Sequence, residues 1–275
     1  MSETIARAEA RSVSSPVVVA TEGRVRILTL ADGARRNPLS EAMMAALSAA
    51  LDAAAADRDV GAVVIAAEGP AFSAGHDLKE LTARRGDPDR GRAYFAHVMR
   101  TCSALMTQIV RLPKPVICAV EGIATAAGCQ LVASADLAIA GANARFATPG
   151  VAIGLFCSTP MVALSRAVAR KHALEMLLTG DMVDAERAAE IALVNRVVPA
   201  GSALAEATAV AAAIAARSPL TLKIGKEAFT AQAELPLDEA YAHCVEVMVE
   251  NMLARDAEEG IGAFLEKRHP HWEGR

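Results

Sequence analysis

Aromatic residues are scarce in this sequence: six Phe, two Tyr and one Trp among 275 residues, or 3%. A surface that holds nucleic acid by base stacking needs aromatic platforms, and little is available here. Charge of one sign is missing too. Lys plus Arg number 28 and Asp plus Glu 32, so the net charge is 28 − 32 = −4. A broad basic field for nucleic acid is therefore excluded, although a few local cations still suit a small anion. The five cysteines, Cys102, Cys118, Cys129, Cys157 and Cys244, are odd in number and include no Cys-x-x-Cys pair. That argues against a disulfide framework or a zinc knuckle, no metal site is expected, and a reducing cytoplasm is the default compartment. Long apolar runs are absent. The longest uncharged stretch, Phe146–Ser165, carries Pro149, Gly150, Gly154 and Pro160 and does not read as a membrane helix. The polar start, residues 1–15, has no apolar signal segment and reads as a flexible tail.

What is present is aliphatic. Apolar residues make up 53% before glycine is counted, above the roughly 45–50% usual with glycine included. A large core and a buried subunit interface are expected, and general disorder is excluded. Val17–Ala20 and Arg24–Leu30 read as a hairpin around Glu22-Gly23. Ser40 caps a helix running to Ala56. Ala62–Ala66, Val116–Val120 and Leu137–Ala140 are short buried strands set between helices, which predicts an α/β domain. Helices are expected near 77–81, 93–110, 126–134, 162–169, 171–178 and 185–191, then a strand over 193–198. The charged segment 83–92 reads as mobile. Strands cease after about residue 200, so we expect a core over 16–200 and a helical region over 201–275.

Two loops stand out chemically. Ala71–Lys79 and Ala124–Leu131 are each rich in small residues and each opens a short helix. Small residues let backbone approach a ligand, and a helix start presents free N–H groups. Two such starts aimed at one oxygen make an oxyanion hole. Each loop alone also fits a plain strand-to-helix turn.

Phe72-Ser73-Ala74-Gly75-His76-Asp77-Leu78, Lys114–Gly122, Gly128-Cys129-Gln130-Leu131, Asp136–Ala140 and Ala144–Pro149, in this order, resemble the enoyl-CoA hydratase/isomerase (crotonase) superfamily. Leu177–Gly180, Ala192–Val198 and Phe264–Arg268 extend the likeness to the C-terminus. The resemblance implies a spiral of ββα units and a helical C-terminal region that assembles a trimer or a dimer of trimers. It implies an acyl-CoA thioester as substrate, in fatty-acid metabolism, with coenzyme A entering as part of the substrate and no other cofactor. The donors to the thioester oxygen would be the N–H groups of His76 and Ala127. Coenzyme A would lie along Arg35, Arg36, Ala74, His76, Asp77 and Leu78, with Phe264 and Lys267 reaching it from a neighbouring subunit.

The sequence departs from that pattern at the acid–base positions. Family hydratases place one glutamate after Gly-Cys in the second loop and another after the proline of Phe-x-x-Pro; here these are Gln130 and Gly150. An amide cannot take a proton at neutral pH and glycine supplies nothing, so hydratase activity is expected to be weak. Glutamates installed at both positions are expected to restore part of it. Cys157 and Ser158 read first as pocket lining, Glu121 as a strand-end hydrogen-bonding residue, and Asp77 as a helix cap. A different acyl-CoA reaction and a non-catalytic acyl-CoA binder remain open beside the hydratase or isomerase.

Overall fold

The computed structural model describes residues 15–275; the tail expected over 1–15 lies outside them except for Ser15. Aliphatic alternation builds the first elements. Strands β1 (Val17–Glu22) and β2 (Val25–Leu30) pair antiparallel, and Val25, Leu28 and Leu30 are fully buried. Ser40 Oγ accepts the Met43 N–H and starts helix α1 (Glu41–Ala56). Strand β3 (Ala62–Ala67) then lies parallel to β2, as an almost wholly buried run should.

From here the chain repeats one move. A long strand enters a large sheet, a three-residue strand enters a small one, and a helix follows. Thus β3 leads to β4 (Ala71–Ser73) and helices α2 (Leu78–Ala83) and α3 (Arg92–Arg111). Strand β5 (Val116–Val120) leads to β6 (Ile123–Thr125) and α4 (Ala127–Ser134), and β7 (Leu137–Gly141) leads to β8 (Arg145–Ala147) and α5 (Pro160–Ala167). After α6 (Arg170–Thr179) come β9 (Val183–Asp184), α7 (Ala185–Glu190) and β10 (Arg196–Val198). The large sheet has the order β1-β2-β3-β5-β7-β10 and the small one β4-β6-β8-β9. This is the α/β spiral of ββα turns that the resemblance implied.

The large sheet buries both faces. Helices α1, α3 and α4 cover one. Val25, Ile27, Val64, Ile117, Ala119 and Ile139 face the other, where helix α8 (Ala203–Ala215) lies on them with an alanine stripe at 203, 207, 211 and 215. Four-residue spacing puts these methyls on one helix face. The approach is so close that a Cβ on Gly61 would sit 2.7 Å from that of Ala215. Helix α8 therefore packs as part of the core, and helices α9 (Pro219–Gln232), α10 (Leu237–Leu253) and α11 (Arg255–Glu266) follow it.

Two expectations need correction. Only Arg196–Val198 of the segment 193–198 is a strand. Leu193 and Val194 turn into the core instead, behind Ala192 at φ 64°. The segment 83–92 is built as a 3-10 turn over Arg84–Gly86 and a capped helix start, with Asp89 accepting the Gly91 and Ala93 N–H groups. The Arg84 and Arg85 guanidiniums lie over the Tyr94 and Phe95 rings, at 4.9 and 5.8 Å.

Candidate active site

Strands β4 and β6 run parallel and side by side, so the loops that leave them emerge together. The contact is close enough to exclude side chains. A Cβ on Gly75 would lie 2.9 Å from the Ala126 Cβ and 3.2 Å from the Ala127 nitrogen. A Cβ on Gly128 would collide with the Ser73 carbonyl. Gly75 also sits at φ +87°, where glycine is at ease.

Asp77 caps α2, as expected: its Oδ1 accepts the Lys79 and Glu80 N–H groups at 2.9 and 3.3 Å. Ala127 is the first residue of α4, where a helix leaves N–H groups unpaired. Neither the His76 N–H nor the Ala127 N–H has a protein acceptor among the described residues. Ala126, just before, is held at φ 51°, ψ −118°, a conformation nearly reserved for glycine. Strain of this kind is kept only where surroundings enforce it. Here the Ala126 N–H is anchored to the Ala147 carbonyl of β8 at 2.9 Å.

The His76 ring turns away into the protein. Its Nδ1 lies 3.4 Å from the Leu39 carbonyl, which can only accept, so Nδ1 carries the proton. Nε2 is then a buried lone pair without a partner. Burial pushes the imidazole pKa down and the ring is neutral.

The two positions where glutamates are missing are both buried. Gln130 is 3% exposed, and its Oε1 meets the Cys102 Sγ of α3 at 3.9 Å. Gly150 lies in a 3-10 turn over Pro149–Ile153. A Cβ there would meet the Leu155 carbonyl oxygen at 2.8 Å and the Cys157 Sγ at 2.9 Å. The thiol and the turn thus occupy the space a side chain at 150 would need. A glutamate at 150 therefore requires the turn to shift. Burial raises the pKa of the thiols around the site: Cys102 and Cys129 to about 12, Cys157 in the same direction. They are protonated and serve as packing groups.

Glu121 is also settled by its contacts. Its Oε1 accepts the Gly201 and Ala203 N–H groups at 2.9 and 3.0 Å, at the start of α8. It staples the helix to the end of β5. A different polar network escaped the sequence reading. Glu41 accepts the Tyr94 hydroxyl at 2.8 Å and contacts His97 Nε2 at 3.1 Å. Burial, then the bond to Glu41, raises the Tyr94 pKa to about 12, so the phenol keeps its proton. Tyr94 and Cys102 are eight residues apart on one face of α3, about 12 Å along its axis.

The expected coenzyme A residues divide into two groups. Ala74, His76, Asp77 and Leu78 share the first loop, and Ala74 N–H bonds the Arg36 carbonyl at 3.0 Å, which joins the arginine loop to it. Arg35 is committed elsewhere: it pairs with Asp32 at 2.5 Å and Asp77 at 3.2 Å. Arg36 is exposed and has no salt-bridge partner among the described residues. Phe264 and Lys267 are exposed on and after α11, Phe264 at 81%, and α11 packs on α9 and α10. A groove with a cavity volume of about 890 Å³ is lined by Asp136, Leu137, Ala167, Lys226 and Phe229. Its lining includes none of residues 76, 127, 130 or 150, so it is a separate feature.

A crotonase-type α/β spiral whose two neighbouring loops each leave a backbone N–H free is a recognisable class of protein. The sequence pattern of the enoyl-CoA hydratase/isomerase family matches residues 20–275, and the chain belongs to that family. It is 47% identical over 248 residues to the human protein named enoyl-CoA hydratase domain-containing protein 3, mitochondrial, covering 90% of this chain and 80% of that one. The crystal structure of the human domain-containing protein 3 superposes with TM-score 0.88 at 46% identity, over 94% of this chain and 100% of that chain. An enoyl-CoA hydratase structure from Mycobacterium smegmatis gives TM-score 0.89 at 48% identity, over 94% and 99%.

Proposed function

We propose that the protein binds an acyl-CoA thioester and polarises its carbonyl with the N–H groups of His76 and Ala127. The observation that carries this is the pair of unclaimed N–H groups on touching loops, one of them at a helix start. Such donors strengthen as negative charge grows on the oxygen, so they stabilise an enolate more than the ground state. Coenzyme A lies along Arg36, Ala74, His76, Asp77 and Leu78, with Arg36 rather than Arg35 as the free cation for phosphate. No other cofactor is assigned, and fatty-acid metabolism is the setting that a general acyl-CoA substrate suits.

Water activation at Gln130 and Gly150 is not part of this reading. The buried turn and thiol beyond Gly150 favour a second reading over efficient hydration: another acyl-CoA reaction, or acyl-CoA binding without turnover. Calorimetry separates these from a structural role. Butyryl-CoA should bind more tightly than coenzyme A, since only the former offers a carbonyl. Absence of binding by folded protein refutes the proposal.

We assign the exposed face of α10 to self-assembly. Leu237, Tyr241, Val245, Met248 and Met252 recur at helical spacing and are each more than half exposed. A homotrimer or dimer of trimers covers them and lets Phe264 and Lys267 of one copy approach the coenzyme A of another. Light scattering at micromolar concentration should return a multiple of three; a monomer overturns the assignment. Five unpaired cysteines support a reducing compartment, which we take to be the cytoplasm. No helix among the described residues is long and apolar enough to cross a membrane.

A further inference from the structure

Two buried polar side chains, those of Asn37 and Ser73, have been given no role so far. Both are 0% exposed. A buried polar group is retained at a cost unless its bonds are satisfied, and here the bonds join the arginine loop, the turn before β4 and the first loop of the site. Asn37 sits at φ 48°, an uncommon backbone state that asparagine tolerates. Its Nδ2 donates to the Glu68 and Ala71 carbonyls, both at 2.8 Å, and its Oδ1 accepts the Asp32 N–H at 2.8 Å. The side chain therefore ties the arginine loop to the entrance of β4.

Ser73 continues the chain of contacts. Its hydroxyl donates to the Asn37 carbonyl at 2.8 Å and accepts the Gly75 N–H at 3.2 Å. Leu39 N–H closes the same seam by donating to the Gly75 carbonyl at 2.8 Å. The peptide units on either side of Gly75 are thus both held, and the next N–H, that of His76, is left free. Ser73 also touches the second loop: a Cβ on Gly128 would lie 2.8 Å from the Ser73 Cβ. One residue hence meets the loop of each donor.

We propose that Ser73, held by Asn37, is the positioning residue that sets the His76 N–H relative to the Ala127 N–H. The proposal rests on the acyl-CoA reading above. Neither side chain touches the ligand. Their effect is confined to where the His76 N–H points.

The test uses butyryl-CoA labelled with carbon-13 at the thioester carbonyl, read by isotope-edited infrared difference spectroscopy. Bound to the wild-type protein, the carbonyl band should move to lower frequency than in solution. In Ser73→Ala the shift should shrink, and the preference for butyryl-CoA over coenzyme A should fall ~5-fold, the loss of about one neutral hydrogen bond. Affinity for coenzyme A itself, which has no carbonyl, should stay within twofold. Ser73→Cys keeps a weaker donor and acceptor in place and should fall between the two; it also carries the test should Ser73→Ala fail to fold. A full shift and an unchanged preference in a folded Ser73 variant overturn the proposal and leave acyl-CoA binding standing. A wild-type complex that binds butyryl-CoA with no shift overturns the carbonyl-site reading and this inference with it.

Discussion

Hydration tests the site hardest. Adding water to an enoyl thioester needs one group to take a proton from water and one to deliver a proton to carbon, and such help is worth ~10²–10⁴-fold. The Gln130 amide and Gly150 supply neither. Turnover on crotonyl-CoA should lie at least ~10²-fold below that of a relative with both carboxylates. Gln130→Glu should recover ~10-fold. Position 130 is in the first turn of α4, where the helix end favours a carboxylate by about 0.3–1 kcal/mol, while burial at 3% exposure works against ionisation. Gly150→Glu should recover nothing. Its Cβ would stand 2.8 Å from a backbone carbonyl oxygen, so the 150–157 turn must shift, at about 1–3 kcal/mol. The double variant is then no faster than Gln130→Glu and less stable. The assay follows loss of the conjugated thioester absorbance, with a denaturant midpoint for each variant. Wild-type hydration equal to that of an intact relative, and indifferent to Gln130→Ala, would refute the argument.

Three further outcomes follow from named contacts. Lys226 Nζ meets Asp136 at 2.6 Å and the Ile109 and Lys114 carbonyls at 3.1 Å, pinning α9 to the sheet; Lys226→Met should destabilise by about 3 kcal/mol in urea, with Asp136→Asn added to it restoring part. Glu259 accepts Arg268 at 2.6 Å and the His271 N–H at 2.8 Å, and Arg268 holds its pKa down to about 2. A depressed carboxyl contributes stability above its ordinary pKa and loses it as pH falls, so the C-terminal segment should release between about pH 4.5 and pH 2. Trp272, the single tryptophan, bonds the Ala216 carbonyl at 2.9 Å, and its emission should redden over that window before helix signal is lost; an unchanged spectrum in Glu259→Gln at pH 7 would contradict this. Ala126→Gly should raise the unfolding midpoint, because strain of about 1–3 kcal/mol is released against the 0.5–1 kcal/mol that glycine costs, whereas Ala126→Val should lower it.

Much of the fold was legible because the large sheet advertises itself. Its central strands are runs of Val, Ile and Ala between helices with visible caps, such as Ser40 and Asp77. The small sheet went unread for a physical reason. Strands β4, β6 and β8 have three residues each, too few to show a period of two, and they exist because the spiral stacks them. The same holds for residues 193–195. Leu193 and Val194 are as apolar as a strand requires, but tertiary packing turns them inward, and only the loose hydropathy pattern is shared.

The site was legible in a narrower sense. Gly75, Gly128 and the residues at 130 and 150 could be read because sequence displays side chains, or their absence. What does the work in the proposed function is backbone, and an N–H group has no residue identity. Whether it is free depends on what its neighbours have already claimed. Ser73 takes the Gly75 N–H and β8 takes the Ala126 N–H, which leaves those of His76 and Ala127 among the unclaimed donors where the two loops meet. Which N–H groups stay free depends on such contacts and on one strained alanine, so residue types alone do not show it; the sequence pointed to His76 and Ala127 only through the family resemblance. That dependence also explains why loss of both glutamates need not disturb the carbonyl site. In the proposed site the acid–base positions are 130 and 150, while the donors rest on other contacts: those of Ser73 with Asn37 and Gly75, and the bond from the Ala126 N–H to β8. On the proposed reading, carbonyl binding and water activation rest on different contacts, so substitution at 130 and 150 removes the second and leaves the first.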